Sequence, residues 1–230
     1  MKHYLYYPFH YLILFIYILF FFMFSIFFAF GIPIAFVKLG IPPRVSITLF
    51  WLALLGSFVN IPISRIESRI PMREKGSVSF WGISYRIPHT PHNTTLLAVN
   101  LGGAIIPVFL SILILWSMAI HSFYILMLKS LIGIAIVSAV SYLFARPVKG
   151  MGIALPAFLP PIVAAITAIF ISPENPVPVA YIAGTMGTLI GADLLHLKDI
   201  EKLGAPVASI GGAGTFDGIF LSGIIAVLLI

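Results

Sequence analysis

Long apolar runs, separated by short polar or proline-containing breaks, limit what this chain can fold into. The first run extends from Phe9 to Phe30 and is apolar or aromatic almost throughout. About 20 such residues can cross the hydrocarbon core of a bilayer as a helix. Only 9% of the residues are charged and 60% are hydrophobic, whereas soluble domains carry about 25% charged residues. The chain therefore cannot cover a soluble surface, and the sequence predicts an all-α, polytopic transmembrane helix bundle.

Seven apolar runs qualify as candidate membrane spans. Their approximate bounds are 9–30, 44–62, 95–117, 119–145, 152–172, 177–195 and 207–230. Together they predict a single transmembrane domain over residues 1–230. The fifth run contains Pro156, Pro160 and Pro161, and each proline removes a backbone donor from the helical ladder. We therefore expect this helix to be kinked or partly unwound between Pro156 and Pro161.

Basic residues fall mainly on one side of the membrane if the seven spans alternate in direction. That side holds the N-terminus and the second, fourth and sixth loops. It carries ten Lys and Arg residues: Lys2, Arg65, Arg69, Arg73, Lys75, Arg86, Arg146, Lys149, Lys198 and Lys202. The opposite side carries only Lys38 and Arg44. Because positive residues concentrate in cytoplasmic loops, we expect a multi-pass cell-membrane protein with a cytoplasmic N-terminus and its C-terminus outside.

The loop of residues 63–94, between the second and third spans, is the main extramembrane segment. Apolar residues alternate between Val78 and Ile87 and predict a short hairpin there. His89 and His92 have no third ligand nearby in the sequence, which favours a polar loop over a metal site. The chain has no cysteine, and loop topology accounts for its basic charge. The expected partners are thus membrane lipids, with no cofactor, metal or nucleic acid indicated and the oligomeric state left open.

Two of the seven acidic residues, Asp193 and Asp217, fall within predicted spans. A carboxylate inside the bilayer costs about 2.5–3.5 kcal/mol to insert and suggests a functional site. We expect both in the cytoplasmic half of the bilayer, on adjacent antiparallel helices. Glycines precede both residues, and small residues let helices approach closely. Two close carboxylates can share a proton, activate a water and protonate a leaving amine, as in aspartic proteases.

The stretch "FDGIFLSGIIAVLL", which contains Asp217, resembles the second catalytic helix of the GxGD intramembrane aspartyl proteases. This is the presenilin and signal-peptide-peptidase group. The resemblance implies that Asp193 and Asp217 form the catalytic pair, with Gly214 as the first glycine of the motif. Phe216 stands where the motif has its second glycine. A transmembrane peptide is then the expected substrate.

The segment "LPAF" is similar to the Pro-Ala-Leu motif of the same protease group, although it precedes both aspartates here and ends in Phe158. It implies a substrate-positioning role for Pro156 and Ala157. More broadly, the chain resembles uncharacterised polytopic membrane families of archaea and bacteria, a resemblance that implies no activity.

A partial internal repeat supports a transporter or channel as the alternative. "LGGAIIPVFLSILI" begins at Leu101 and "IGGAGTFDGIFLSGII" begins at Ile210, both on spans predicted to run outward. Parallel repeats with interrupted helices are a feature of transporters. Under this interpretation Asn100, together with Asp193 and Asp217, binds a cation, a proton or a small solute.

A structural role is the third interpretation. Asp193 would cap its helix or pair with Lys198, Asp217 would pair across helices with Lys129, and the protein would act in membrane assembly without catalysis. Of the three, the sequence favours the protease-like pair, because two carboxylates at matched depth on adjacent helices are its most specific feature. We therefore expect Asp193 and Asp217 to approach each other directly or through one water.

Overall fold

The computed structural model describes residues 9–67, 77–80, 83–86, 94–150, 152–212 and 218–230. The π-helical turn Phe27–Gly31 joins the first two helices into one rod, and a second π-helical turn, Leu101–Ile105, leads into the fourth. The helices are α1 (Phe9–Ile26), α2 (Ile32–Lys38), α3 (Pro43–Gly56), α4 (Ile106–Ile120), α5 (Tyr124–Phe144), α6 (Leu159–Ile171), α7 (Pro176–Thr188) and α8 (Gly218–Leu228). With α1 and α2 counted as one rod, the described residues hold seven apolar helices. The predicted helical class is confirmed.

Four helical stretches are long and apolar enough to cross a membrane: Tyr11–Lys38, Leu101–Ile120, Tyr124–Phe144 and Pro176–Lys202. The chain is therefore an integral membrane protein. Helices α3, α6 and α8 have only 14, 13 and 11 residues. At 1.5 Å per residue they rise about 17–21 Å, which is less than the roughly 30 Å of hydrocarbon. The second, fifth and seventh apolar runs are thus helical over only part of their predicted length.

Much of the remainder of those runs is β-structure. The strands are β1 (Asn60–Glu67), β2 (Ser77–Phe80), β3 (Ile83–Arg86), β4 (Thr94–Asn100), β5 (Arg146–Val148), β6 (Gly152–Ala154) and β7 (Val207–Ile210). Strands β2 and β3 pair antiparallel, which confirms the predicted loop hairpin. Strands β5 and β6 form a second hairpin. A three-stranded sheet has the order β1-β4-β7, antiparallel between β1 and β4 and parallel between β4 and β7.

The strands gather at one end of the helix bundle because of how the chain connects them. Strand β1 follows the C-terminal end of α3, β4 precedes α4 and β7 precedes α8. The β5–β6 hairpin joins α5 to α6. In a bundle of alternating helices these ends all lie on the same side.

Helix α7 is the centre of the core. Nine of its thirteen residues are buried, and α5, α6 and α8 pack around it. Gly184 packs against the backbone of α8. Ala183 shares a buried cluster with Ala226 in the last turns of α8, whereas Leu189, just beyond the end of α7, packs in the cluster of Ile219 at the start of α8. Helices α7 and α8 are therefore adjacent and antiparallel, as predicted. Small residues permit this close approach.

The prolines of the fifth run lie before or at the start of a helix, and they do not kink it. Residues 152–154 are strand β6, and α6 begins only at Leu159. Pro160 and Pro161 therefore lie in the first helical turn and are buried. A proline there removes only an N–H that has no intrahelical partner. Unwinding between Pro156 and Leu159 agrees with the expected distortion, but the predicted helix start at residue 152 is wrong.

The two copies of the internal repeat lie against each other. Strands β4 and β7 pair in parallel with Val99 opposite Ile210, and each leads towards an apolar helix. A Cβ on Gly103 would collide with the Gly211 carbonyl, and a Cβ on Gly211 would lie 2.7 Å from the Ala104 nitrogen. Gly211 also has a φ of +84°, which side-chain-bearing residues rarely adopt. The repeated glycines thus allow the two strand-to-helix connections to touch.

Candidate functional site

Asp193 closes a π-helical turn, Leu189–Asp193, that continues α7. A Cβ on Gly191 within this turn would collide with the Ser138 carbonyl of α5, so the turn packs directly on that helix. His196 is buried, with its Nδ1 atom 3.1 Å from the Gly191 carbonyl oxygen. A π turn interrupts regular helical bonding and is frequent at functional sites. The sequence folds this way because only glycine fits against α5 at position 191.

Asp193 is partly buried and lines a cavity of about 860 Å³. Ligand pockets usually have volumes of about 300–1,000 Å³. Asp193 starts the 3-10 helix Leu194–Lys202, yet its side chain makes no capping hydrogen bond to that described segment. The predicted cap is thus not seen at this helix, and the predicted pairing with Lys198 stays a prediction. Asp193 is one of the residues of the cavity wall.

The rest of the wall is mainly apolar, with a few hydroxyls. Helix α1 and the π turn after it contribute four phenylalanines: Phe20, Phe24, Phe27 and Phe28. The hydroxyl-bearing lining residues are Thr188, Ser209 and Ser222. Among the described lining residues, Asp193 is the only one with an ionisable side chain. The cavity wall is therefore largely apolar, with one acidic residue and three hydroxyl-bearing residues among its described members.

The "LPAF" segment also lies at this cavity. Leu155, Ala157 and Phe158 line it, whereas Pro156 is exposed and is not among the lining residues. The structure thus brings Ala157 and Asp193 to one cavity. Nothing in the sequence separation of these residues places them together, because α6 and α7 intervene.

Asp217 and Gly214 lie outside the described residues. The residues on either side of that segment, Gly212 and Gly218, both line the cavity. Gly218 is also the first residue of α8, so Asp217 directly precedes this helix in the sequence. The approach of Asp193 to Asp217 stays a prediction, as does the role of Gly214.

Asn100 lies outside the cavity and joins three segments of backbone. It is fully buried, and its Nδ2 atom donates to the Ser57 carbonyl at 2.6 Å and to Asn60 Oδ1 at 3.0 Å. Its Oδ1 atom accepts from the Gly103 amide at 2.7 Å, which caps the start of the helix. Ser209 donates to the same Asn60 oxygen at 2.6 Å. Asn100 thus ties strand β1 and the end of α3 to the glycine turn that precedes α4.

Two strand edges border the cavity, and neither strand was predicted from the sequence. Four consecutive residues line it at 207–210 and four more at 152–155. Successive side chains of a strand point to opposite faces, so an unbroken lining run means that β7 and β6 present their backbone edges. Within the described residues β7 pairs only with β4, and β6 only with β5. These short apolar runs could not be distinguished from helix by periodicity.

Thr188 and Ser222 were also missed. Their signal in the sequence is spacing: Thr188 lies five residues before Asp193 (193 − 188), and Ser222 lies five residues after Asp217 (222 − 217). Hydroxyl residues are common in membrane helices, where they bond to backbone or to neighbouring helices. The spacing alone therefore does not predict that these residues share a site. They line one cavity because α7 packs against α8.

A family model described as "Protein of unknown function (DUF1614)" matches residues 54–229, more than half of the chain. The chain belongs to this family. The family match covers the seven strands of the described residues together with Asp193 and Asp217, whereas α1, α2 and most of α3 precede it. No curated protein and no solved structure matches the chain. The expected membership of an uncharacterised family is thus confirmed, and the comparisons do not confirm the resemblance to GxGD proteases.

Proposed function

We propose that this membrane protein is an intramembrane aspartyl peptidase, with Asp193 and Asp217 as its catalytic pair and a transmembrane peptide as its substrate. One observation carries the proposal. A single cavity is lined by Asp193, by Ala157 of the "LPAF" segment, and by Gly218, the neighbour of Asp217. Asp193 and Ala157 are two of the residues that the protease resemblance implies, and Gly218 follows a third, Asp217, directly in the sequence.

The proposed chemistry is the hydrolysis of a peptide bond by two carboxyl groups that share one proton. The ionised carboxylate removes a proton from a water molecule, whose oxygen attacks the peptide carbonyl carbon. The protonated carboxyl then donates its proton to the leaving amine as the C–N bond breaks. The apolar wall of the cavity lowers the local dielectric, which strengthens these charge interactions.

The strand edges support an extended substrate. A transmembrane helix satisfies its own backbone hydrogen bonds, and in lipid an unwound segment would lose them without replacement. The edges of β6 and β7 at the cavity supply alternative backbone partners. Addition of a peptide strand to an exposed sheet edge is a common mode of peptide binding. The proposed substrate therefore unwinds locally and pairs with β6 or β7 beside Asp193.

The test is cleavage of transmembrane peptides by the purified protein in detergent or lipid. Asp193→Asn and Asp217→Asn should each abolish cleavage, because the amide cannot exchange the required proton. Since the pair acts as a unit, the double variant should be no slower than either single variant. Product masses would locate the cleaved bond.

Asp199→Asn is the matched control. Asp199 pairs with Lys202 at 2.8 Å in the 3-10 helix and does not line the cavity. This variant should retain cleavage, and all variants should retain the same thermal transition as the wild type. Cleavage that survives both Asp193→Asn and Asp217→Asn would disprove the catalytic pair.

Transport of a cation or small solute is the second candidate function. The observation that favours it is the structural repeat, in which β4 and β7 pair in parallel and each leads to an apolar helix. Parallel repeats are a feature of transporters. The same aspartate variants would then abolish ion or proton flux in liposomes, and the wild-type protein would cut no peptide. In this transporter, Asn100 would stabilise the π-helical turn before α4 and would not bind the solute, because its side chain is already bonded to backbone and to Asn60.

A further inference from the structure

His196 is a buried polar side chain that takes no part in the proposed chemistry. It is 6% exposed, and its Nδ1 atom lies 3.1 Å from the Gly191 carbonyl oxygen. A carbonyl oxygen only accepts hydrogen bonds, so Nδ1 must carry the hydrogen and donate it. The side chain of His196 therefore holds the backbone of a residue five positions earlier in the chain.

This bond lies where the helix changes type. Backbone bonds span five residues in the π turn Leu189–Asp193 and three residues in the 3-10 helix Leu194–Lys202 that follows. Gly191 is the central residue of the π turn and Asp193 is its last. A π turn holds about one residue more than an α-helical turn, so reversion to α-helix would rotate residue 193 by about 100° around the axis. The direction in which Asp193 points thus depends on this turn.

Helix α5 supports both partners of the bond. A Cβ on Gly191 would collide with the Ser138 carbonyl, and the ring of Tyr142 lies 4.8 Å from the ring of His196 with an interplanar angle of 37°. Ser138 and Tyr142 are four residues apart (142 − 138), so they share one face of α5. Histidine meets both demands of this place, because it offers a flat ring to Tyr142 and an N–H to the Gly191 carbonyl.

We propose that His196 is a positioning residue for Asp193. By donating to the Gly191 carbonyl, it keeps the π turn formed and so keeps Asp193 at the cavity. The functional side of this inference rests on the proposed peptidase, in which Asp193 is catalytic. His196 acts through the backbone, because it is not among the described residues that line the cavity.

The test measures the placement of residue 193 by cysteine labelling, because the chain has no native cysteine. The full-length Asp193→Cys protein in detergent is treated with a small maleimide, and mass spectrometry follows the rate. Adding His196→Leu removes the donor and should slow labelling about 3- to 10-fold, as expected for loss of one hydrogen bond. Adding His196→Asn should keep the parent rate, because the amide nitrogen of Asn takes the position of Nδ1.

Ala157→Cys is the matched control. Ala157 is exposed and lines the same cavity, but it lies outside both α7 and the π turn. His196→Leu should therefore leave labelling at position 157 unchanged. An unchanged rate at position 193 would overturn the positioning role. Equal changes at positions 157 and 193 would also overturn it, because they would mark a general change of the fold.

Peptide cleavage is the second readout, and it separates this inference from the peptidase itself. In the protein that keeps both aspartates, His196→Leu should lower kcat about 3- to 10-fold with KM unchanged, because the substrate still binds while the carboxyl group is misplaced. His196→Asn should cleave at the wild-type rate. If the wild type cleaves no peptide and only His196→Leu slows labelling at position 193, the peptidase is rejected and the positioning role is supported.

Discussion

At the scale of single residues, the structure separates polar side chains that support the fold from those that face the cavity. Asn100 and Asp193 were both candidates for binding, but only Asp193 lines the cavity. Asn100 has its donor and acceptor atoms bonded within the protein. Full burial of an amide in a membrane protein is explained by these bonds, because an unbonded amide would be costly there.

The first prediction concerns Asn100. Asn100→Ala should lower the free energy of unfolding by about 1–3 kcal/mol, because it leaves the Ser57 carbonyl and the Gly103 amide without their partner. Asn100→Asp should lower it at least as much, since a carboxylate oxygen would replace the donor that faces Ser57 and Asn60. Thermal unfolding in detergent measures both. An Asp variant as stable as the wild type would contradict the hydrogen-bond assignment.

At the scale of secondary-structure elements, parts of the apolar runs form strands although helices were expected there. Residues 207–210 form β7, and in a parallel ladder one strand edge faces its partner while the other faces away. The Leu96 amide donates to the Pro206 carbonyl at 3.0 Å, so the amide of Ala208 is directed towards β4. The amide of Val207 is directed to the opposite edge, which borders the cavity.

Proline substitutions at these two neighbouring positions distinguish the two edges. Val207→Pro removes an N–H from the cavity edge at the first residue of the strand, where proline is tolerated. It should keep the thermal transition and slow peptide cleavage about 3- to 10-fold, as for loss of one hydrogen bond. Ala208→Pro removes a ladder bond to β4 and should destabilise the fold. If Val207→Pro cleaves at the wild-type rate, the substrate does not pair with this edge.

At the scale of the whole molecule, the apolar helices and the polar connections occupy different regions, as expected for a protein that crosses a membrane. Seven apolar helices form the bundle in the described residues, and the strands collect at one end of it. The basic loops lie at that same end if the helices alternate, which is why we expect it to face the cytoplasm. The cavity with Asp193 would then open in the cytoplasmic half of the membrane.

Cysteine labelling tests this orientation, and the chain has no native cysteine to interfere. Lys149 lies between β5 and β6, whereas Glu174 lies between α6 and α7, and both are exposed. Lys149→Cys should react with a membrane-impermeant maleimide only from the cytoplasmic side, and Glu174→Cys only from outside. Labelling of both from one side would refute the alternating topology.

The sequence by itself determined the membrane environment, the number and order of the apolar helices, the loop hairpin and the antiparallel pairing of α7 with α8. These follow from local quantities: run length, charge bias between loops, and the position of glycine and proline. Each depends on residues close together in the chain, so periodicity and composition are sufficient to predict them.

Only the tertiary structure decided where the apolar runs become strands and which distant residues share a cavity. Strand β7 exists because β4, about a hundred residues earlier (210 − 99 = 111), supplies its hydrogen-bond partners. Likewise Ala157, Thr188 and Ser222 line the same cavity as Asp193 because small residues let α7 pack closely on its neighbours. Backbone pairing and packing depend on segments far apart in sequence, so no local pattern in this chain encodes them.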